Sequence, residues 1–314
     1  MELKEQNFGP IRIIAGDKGG RYPSCHSIFV EEAGVLIDPA ANRDRLKALR
    51  SREKVRMVWL SHWHEDHFRD LDLFDDKPLW MEASDAPPLA DMNIFFDWYG
   101  VSSASGDQLR AYWEPILKKD FHFRPRMPQR FLEDGEVIDL GRVTAEVIHI
   151  PGHSPGQLAF FFREPGVLFM ADCDLTPFGP WYGDRYSSVE DTIRSIHRLR
   201  AIPAKVWLTA HETGVFERPP GGLWDAYLGV IEKRESALLN FLSAPRTMDE
   251  IVEQWIVYGR ERKPREFYEY GERAHMEKHL DRLIRKGEVV LDAGRYHKTT
   301  GASFSLSALR WGDR

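Results

Sequence analysis

Residues 61–67 read Ser-His-Trp-His-Glu-Asp-His, so three imidazoles and a carboxylate crowd one short window behind the apolar run Met57-Val-Trp-Leu60. A run of that kind reads as a buried strand, and a strand fixes where the following loop begins. A loop so anchored can aim His62, His64, Asp66 and His67 at one point, which is what a transition-metal ion requires. Three later residues stand in the same context. His153 follows the strand-like run 143–150, Asp172 follows 167–170, and His211 follows 206–209. Open sheets commonly place active sites at such strand ends. No single spacing shows that the four loops converge; the repeated context is what argues for a metalloenzyme.

Further strand candidates lie at 27–30, 35–37 and 158–162. The last, Leu-Ala-Phe-Phe-Phe, is apolar on both faces, as in a sheet covered on both sides. Ser187-Ser-Val-Glu190 resembles a helix-capping box, and Val189, Ile193, Ile196 and Leu199 then recur at helical spacing. Alternating strands and helices point to a layered α/β architecture. Two stretches differ. Residues 84–130 lack strand signals but hold Phe95, Phe96, Trp98, Tyr99, Tyr112 and Trp113, and read as a helical insertion. From 223 the pattern is helical, with a second capping box at Thr247-Met-Asp-Glu250 and an apolar stripe at Met276, Leu280, Leu283 and Ile284. A hairpin then follows Gly287. This order predicts a catalytic domain over 1–222 and a winged-helix-like domain within 223–314.

Composition narrows the class. In 314 residues the apolar share is 42% and the net charge −6, which suits a globular protein and argues against a dominant nucleic-acid function. Residues 260–298 carry eleven Lys/Arg against eight Asp/Glu, but Glu277 and Asp281 interrupt the candidate recognition helix. A packing or dimer element is therefore the preferred role for that region. No apolar stretch reaches membrane-spanning length, and residues 1–7 lack the basic and apolar regions of a secretory signal. Cys25 and Cys173 cannot build a disulfide framework, so a cytoplasmic location is expected.

These motifs resemble those of the metallo-β-lactamase superfamily over residues 10–215. The resemblance is carried by His62-x-His64-x-Asp66-His67, Pro-Gly-His153-Ser-Pro-Gly, Ala171-Asp172, His211, Ile37-Asp38-Pro39 and the stretch 132–141. It implies an αββα sandwich with two metals at one edge. His62, His64 and His153 would bind one ion, while Asp66, His67 and His211 would bind the other. Asp172 would bridge them, and Asp38 would hold the His-rich loop from behind. Histidine at position 64 and aspartate at 172 make the pattern similar to glyoxalase II-like hydrolases ending in a winged helix.

Two cations about 3.5–4 Å apart can share a bridging hydroxide and stabilise an oxyanion, with Asp66 and Asp172 as the catalytic carboxylates of the cluster. The expected reaction is hydrolysis of a small-molecule acyl bond, a thioester first and a lactone or amide next. Zinc is the first choice of metal, with iron or manganese open. The alternatives are a mononuclear-iron oxidoreductase resembling persulfide dioxygenases and a nucleic-acid-processing member. Candidate pocket residues are Trp63, Phe178, Trp181, Tyr182 and Tyr186. His26, His149, His197 and His275 belong to no motif and read as structural, and Cys173 reads as buried filler.

Overall fold

The computed structural model describes residues 4–52, 54–101 and 106–299. Its first sheet contains β1 (Gln6–Phe8), β2 (Ile11–Ile14), β3 (Ser27–Val30), β4 (Val35–Ile37), β5 (Met57–Trp59), β6 (Leu79–Met81) and β7 (Arg130–Phe131), in that spatial order. The second contains β8 (Val137–Asp139), β9 (Thr144–His149), β10 (Leu158–Phe162), β11 (Val167–Phe169), β12 (Val206–Leu208) and β13 (Val215–Phe216), again with chain neighbours side by side. Pairing is antiparallel except between β4 and β5, β5 and β6, β6 and β7, and β11 and β12.

Side-chain alternation explains the layering. Ile11, Ile13, Ile28, Val30, Val35, Ile37 and Trp59 of the first sheet share one core with Ala145, Val147, Leu158, Phe160, Phe162, Val167, Phe169 and Leu208 of the second. The intervening residues face the other way, yet Phe29, Leu36 and Val58 are buried too. Behind the second sheet, Ala159, Leu168 and Trp207 pack with Ile196 and Leu199 of the helix Val189–Arg200. The helix Arg43–Arg52, which links β4 to β5, buries Leu46 and Leu49. Burying each such large side chain contributes about 1.5–3 kcal/mol. The expected mixed α/β class is therefore what the chain adopts.

Several details depart from the expected elements. Strands β1, β2, β6, β7, β8 and β13 add to the expected set. All are only two to four residues long, too short to print a period. The helix Val189–Arg200 is capped by Ser188, whose side chain accepts from Asp191 N–H, one residue later than the expected box. Within residues 84–130 the described helices are Ala86–Ala90, Met92–Trp98 and Gly106–Lys119. Phe95, Phe96 and Trp113 are buried there.

The chain divides into two compact units at Glu232–Lys233, inside the helix Leu223–Phe241. Sequence placed that boundary at 222. The difference arises because Trp224 and Tyr227 join the apolar cluster behind the second sheet. Within the second unit, the helices Met248–Val252 and Arg265–Arg285 and the hairpin β14 (Val289–Asp292) and β15 (Arg295–Lys298) enclose Leu238, Leu242, Ile251, Met276, Leu280, Leu283 and Val289. Thr247 and Glu250 form the expected capping box. No described helix is long and apolar enough to cross a membrane.

Glu235 anchors this second unit by pairing with Arg282, with His279 at 3.4 Å and with Lys286 at 3.4 Å. Burial opposes its ionisation, but His279 and Arg282 outweigh that and pull its pKa down to about 2. A depressed carboxylate stabilises the fold above its unfolded value, near 4.5, and that contribution is lost as pH falls through about 2. Glu235→Gln is expected to cost about 1–2 kcal/mol at pH 7. Urea titrations should show the gap from wild type narrowing between pH 4.5 and 2; a gap independent of pH would refute the assignment.

Candidate metal centre

Each of the seven expected metal-binding residues leaves the C-terminal end of a strand: His62, His64, Asp66 and His67 after β5, His153 after β9, Asp172 after β11 and His211 after β12. Asp38, after β4, is fully buried and holds the His-rich loop at two points. Its Oδ1 accepts from Ser61 N–H at 2.7 Å. Its Oδ2 accepts from Ser61 Oγ at 2.7 Å and from His67 Nδ1 at 2.9 Å. The short helix Glu65–Phe68 turns the loop so that residues 64, 66 and 67 face inward together.

Three ring nitrogens meet in a first set. His62 Nε2 lies 3.0 Å from His64 Nδ1, and His153 Nε2 lies 3.1 Å from His62 Nε2 and 2.8 Å from His64 Nδ1. The outer nitrogen of each ring is already engaged. His62 Nδ1 is 2.9 Å from Ser61 Oγ, His64 Nε2 donates to Asp184 Oδ2 at 2.7 Å, and His153 Nδ1 donates to Trp181 O at 3.3 Å. Those partners engage the outer nitrogen of each ring, so the three inner nitrogens, Nε2 of His62, Nδ1 of His64 and Nε2 of His153, face one another. Such a contact is repulsive unless a proton or a metal cation lies between them. A tetrahedral ion with metal–nitrogen bonds of about 2.0–2.1 Å would hold its ligand nitrogens about 3.3 Å apart, close to this spacing.

The second set lies alongside. His67 Nε2 is 3.3 Å from His211 Nε2, which in turn lies 3.6 Å from Asp66 Oδ2. The outer nitrogens again point away, His67 Nδ1 to Asp38 and His211 Nδ1 to the main-chain oxygens of Gly20 and Ser24. Asp172 stands between the sets. Its Oδ1 is 2.8 Å from His67 Nε2 and 3.4 Å from His211 Nε2, while its Oδ2 is 3.3 Å from His153 Nε2 and 3.9 Å from His62 Nε2. Among the described residues, Asp172 Oδ1 is buried and no hydrogen bond of good angle reaches it, the His67 Nε2 contact included. Imidazoles and carboxylates, gathered in the two sets, form a donor set suited to divalent cations.

Electrostatics agree with that fit. Burial drives His62 well below its ordinary pKa and brings His153 to about 4, keeping both rings neutral. For His64 burial acts the same way, but the Asp184 carboxylate outweighs it and raises the value to about 9. Burial also opposes charge on His211, where Asp172 and Asp174 prevail and raise it to about 10. Asp172 is held well below the carboxylate range despite burial, by the imidazoles of His67, His211, His153 and His62. A cation entering the cluster takes over the role of the protons on His64 and His211.

The loops carrying these groups are locally strained. Asp38, Ala171 and Glu212 have φ values of 53°, 47° and 54°, the left-handed region that non-glycine residues seldom occupy. Each is a site residue or adjoins one, where surrounding packing must sustain the cost.

Sequence missed three supports. Asp184 lies outside every motif and reaches His64 only through the folded loop. Asp85, from the helical insertion, accepts from Ser154 Oγ and Gly156 N–H, both at 2.6 Å, and fixes the turn after His153. Glu65 accepts from the hydroxyls of Tyr22 at 2.9 Å and Tyr99 at 2.6 Å, and burial raises its pKa to about 7. Local composition marks none of them except Glu65, which sits inside the motif.

The expected pocket residues differ in burial, Trp63 and Tyr182 from the other three. Both are fully buried, Trp63 between Phe95, Trp98 and Tyr99, and so neither lines an open pocket. Phe178 and Tyr186 are exposed, Trp181 is half-buried, and Tyr186 packs edge-on against Trp98 at 4.9 Å. His26, His149, His197 and His275 belong to neither set, and Cys173 is buried. A separate group, Asp70, Asp72 and His122, is already paired with Arg43, 2.7 Å from Asp70 and 2.7 Å from Asp72, and with Arg69, 3.1 Å from Asp70.

The family description "Metallo-beta-lactamase superfamily" matches residues 19–238, and the chain belongs to that superfamily. Among curated relatives, it is 40% identical over 83 residues to a hydroxyacylglutathione hydrolase of Methylococcus capsulatus, covering 26% of this chain and 31% of that protein. It is 29% identical over 143 residues to the acyl-coenzyme A thioesterase MBLAC2 of Gallus gallus, covering 44% and 48%. The chain thus spans about a third to a half of the length of these relatives. A solved metallo-beta-lactamase family protein from Thermus thermophilus superposes with a TM-score of 0.70 over 92% of this chain and 99% of that one. At 22% identity, that likeness shows the fold.

Gly152, just before His153, tests how tightly this framework is set. Its φ is 131°, and a Cβ there would lie 2.2 Å from Thr192 N at the start of the helix Val189–Arg200. Gly152→Ala is expected to cost about 2–5 kcal/mol in urea unfolding, from strain and displaced backbone together. Gly141→Ala, at φ 90° with open space around it, should lose only about 1 kcal/mol. Equal losses at the two positions would contradict the close-packing explanation.

Proposed function

We propose that the chain is a binuclear metal-dependent hydrolase that cleaves a thioester, using His62, His64 and His153 for one cation, Asp66, His67 and His211 for the other, and Asp172 for both. The observation that carries the reading is Asp172, whose two oxygens face separate sets of inward-turned imidazoles. A pair of divalent cations supplies, when bound, a nucleophile drawn from water near neutral pH and positive charge opposite a developing oxyanion.

The chain's own residues do the positioning. Asp38 pins both ends of the His-rich loop, and the strand ends fix the remaining donors, so the donor set is assembled before substrate arrives. The exposed Phe178 and Tyr186 and the half-buried Trp98 and Trp181 offer an aromatic rim for the apolar part of an acyl substrate. A thiolate, whose conjugate acid has a pKa of about 8.5, departs without a proton donor, whereas an amine requires one. That difference favours a thioester over an amide, in line with the names of the two curated relatives. Zinc is the preferred metal because the sets are rich in imidazole and compact.

Elemental analysis of the purified chain should find about two divalent ions, and a screen of thioesters, lactones and amides should return thioesters first. Asp172→Ala and His64→Ala should each lower turnover by more than about 100-fold while circular dichroism stays native. A metal-replete wild-type chain inert towards every thioester would refute the proposed reaction. One iron per chain with oxygen uptake would replace it with oxidative chemistry.

A further inference from the structure

We infer that the segment from Trp181 to Ser187 is a clasp that orients two of the three imidazoles of the first set, with Asp184 as the positioning residue of His64. The inference rests on the two-cation reading above. Asp184 is 1% exposed and lies far from the histidine motif in sequence. Its Oδ2 takes the outer N–H of His64 at 2.7 Å, and its Oδ1 accepts from Trp181 Nε1 at 3.2 Å. The main-chain oxygen of the same Trp181 takes the outer N–H of His153 at 3.3 Å.

Other bonds lock the C-terminal half of the segment. Ser187 Oγ donates to His153 O at 2.6 Å, and Ser187 N donates to Asp184 O at 3.0 Å. Ser188 N donates to Gly152 O and Arg185 N to Trp98 O, at 2.9 and 2.8 Å. One short stretch thus serves His64 and His153 together.

The need is geometric. An imidazole can flip about its Cβ–Cγ bond, exchanging a nitrogen edge for a carbon edge. Only one orientation of His64 turns Nδ1 towards His62 and His153, and Asp184 selects it by engaging Nε2. The second set is held by different elements, Asp38 for His67 and the main chain of Gly20 and Ser24 for His211. Loss of Asp184 should therefore weaken one cation site and spare the other.

Cobalt(II) titration of the metal-stripped full chain, followed by visible absorption and chelator competition, tests this. Wild type should take up two equivalents. Asp184→Ala should keep one at wild-type affinity, bind the other about 10–100-fold more weakly, and show an altered spectrum. Asp184→Asn, whose amide oxygen can still accept from His64, should recover part of the loss. Asp72→Asn, in the unrelated Arg43 pair, should match wild type. If Asp184→Ala does not fold, Asp184→Asn carries the test through the same selective weakening. Variants with unchanged affinities and spectrum, or with both equivalents weakened alike, would overturn the clasp. Failure of the two-cation reading would show differently, as fewer than two equivalents in the wild type.

Discussion

Four buried imidazoles and a fifth, half-buried one turn a ring nitrogen towards a common region, and a carboxylate stands among them. Burial of that kind is costly unless positive charge compensates it, either as protons on some of the rings or as metal ions. Much else about the first unit can be understood as the framework that keeps these groups facing inward. The two sheets supply rigid strand ends, and Asp38, buried at the end of β4, ties the first and last parts of the His-rich loop to one carboxylate.

The helical insertion has a structural part in the same arrangement. Its Phe95, Trp98 and Tyr99 surround Trp63 and so brace the loop between His62 and His64 from outside. Tyr99 also reaches Glu65, and Asp85 holds the turn behind His153. These aromatic residues serve as packing around Trp63. Those that remain exposed, Phe178 and Tyr186, come instead from the loop after β11.

The strain in the loops points the same way. Left-handed backbone at Asp38, Ala171 and Glu212 would relax in an isolated segment. It persists because strands on one side and helices on the other hold those loops in place. Gly152 shows the same constraint from another direction, since a helix N-terminus occupies the space a side chain would need.

The residue order alone was sufficient for the identities of the inward-facing donors and for the longer strands. Clustered histidines and continuous apolar runs are local signals that need no partner to be read. Short edge strands such as β7 and β13 left no such signal, because two residues cannot display a period. Only the folded chain could show that Asp184 backs His64, that Asp85 and Tyr99 support the site, and that Trp63 and Tyr182 are core. Those contacts join positions far apart in sequence, and long-range packing has no imprint at either end of the pair. The same reason moved the unit boundary into the helix Leu223–Phe241: the burial of Trp224 and Tyr227 behind the second sheet is a property of the neighbours they meet.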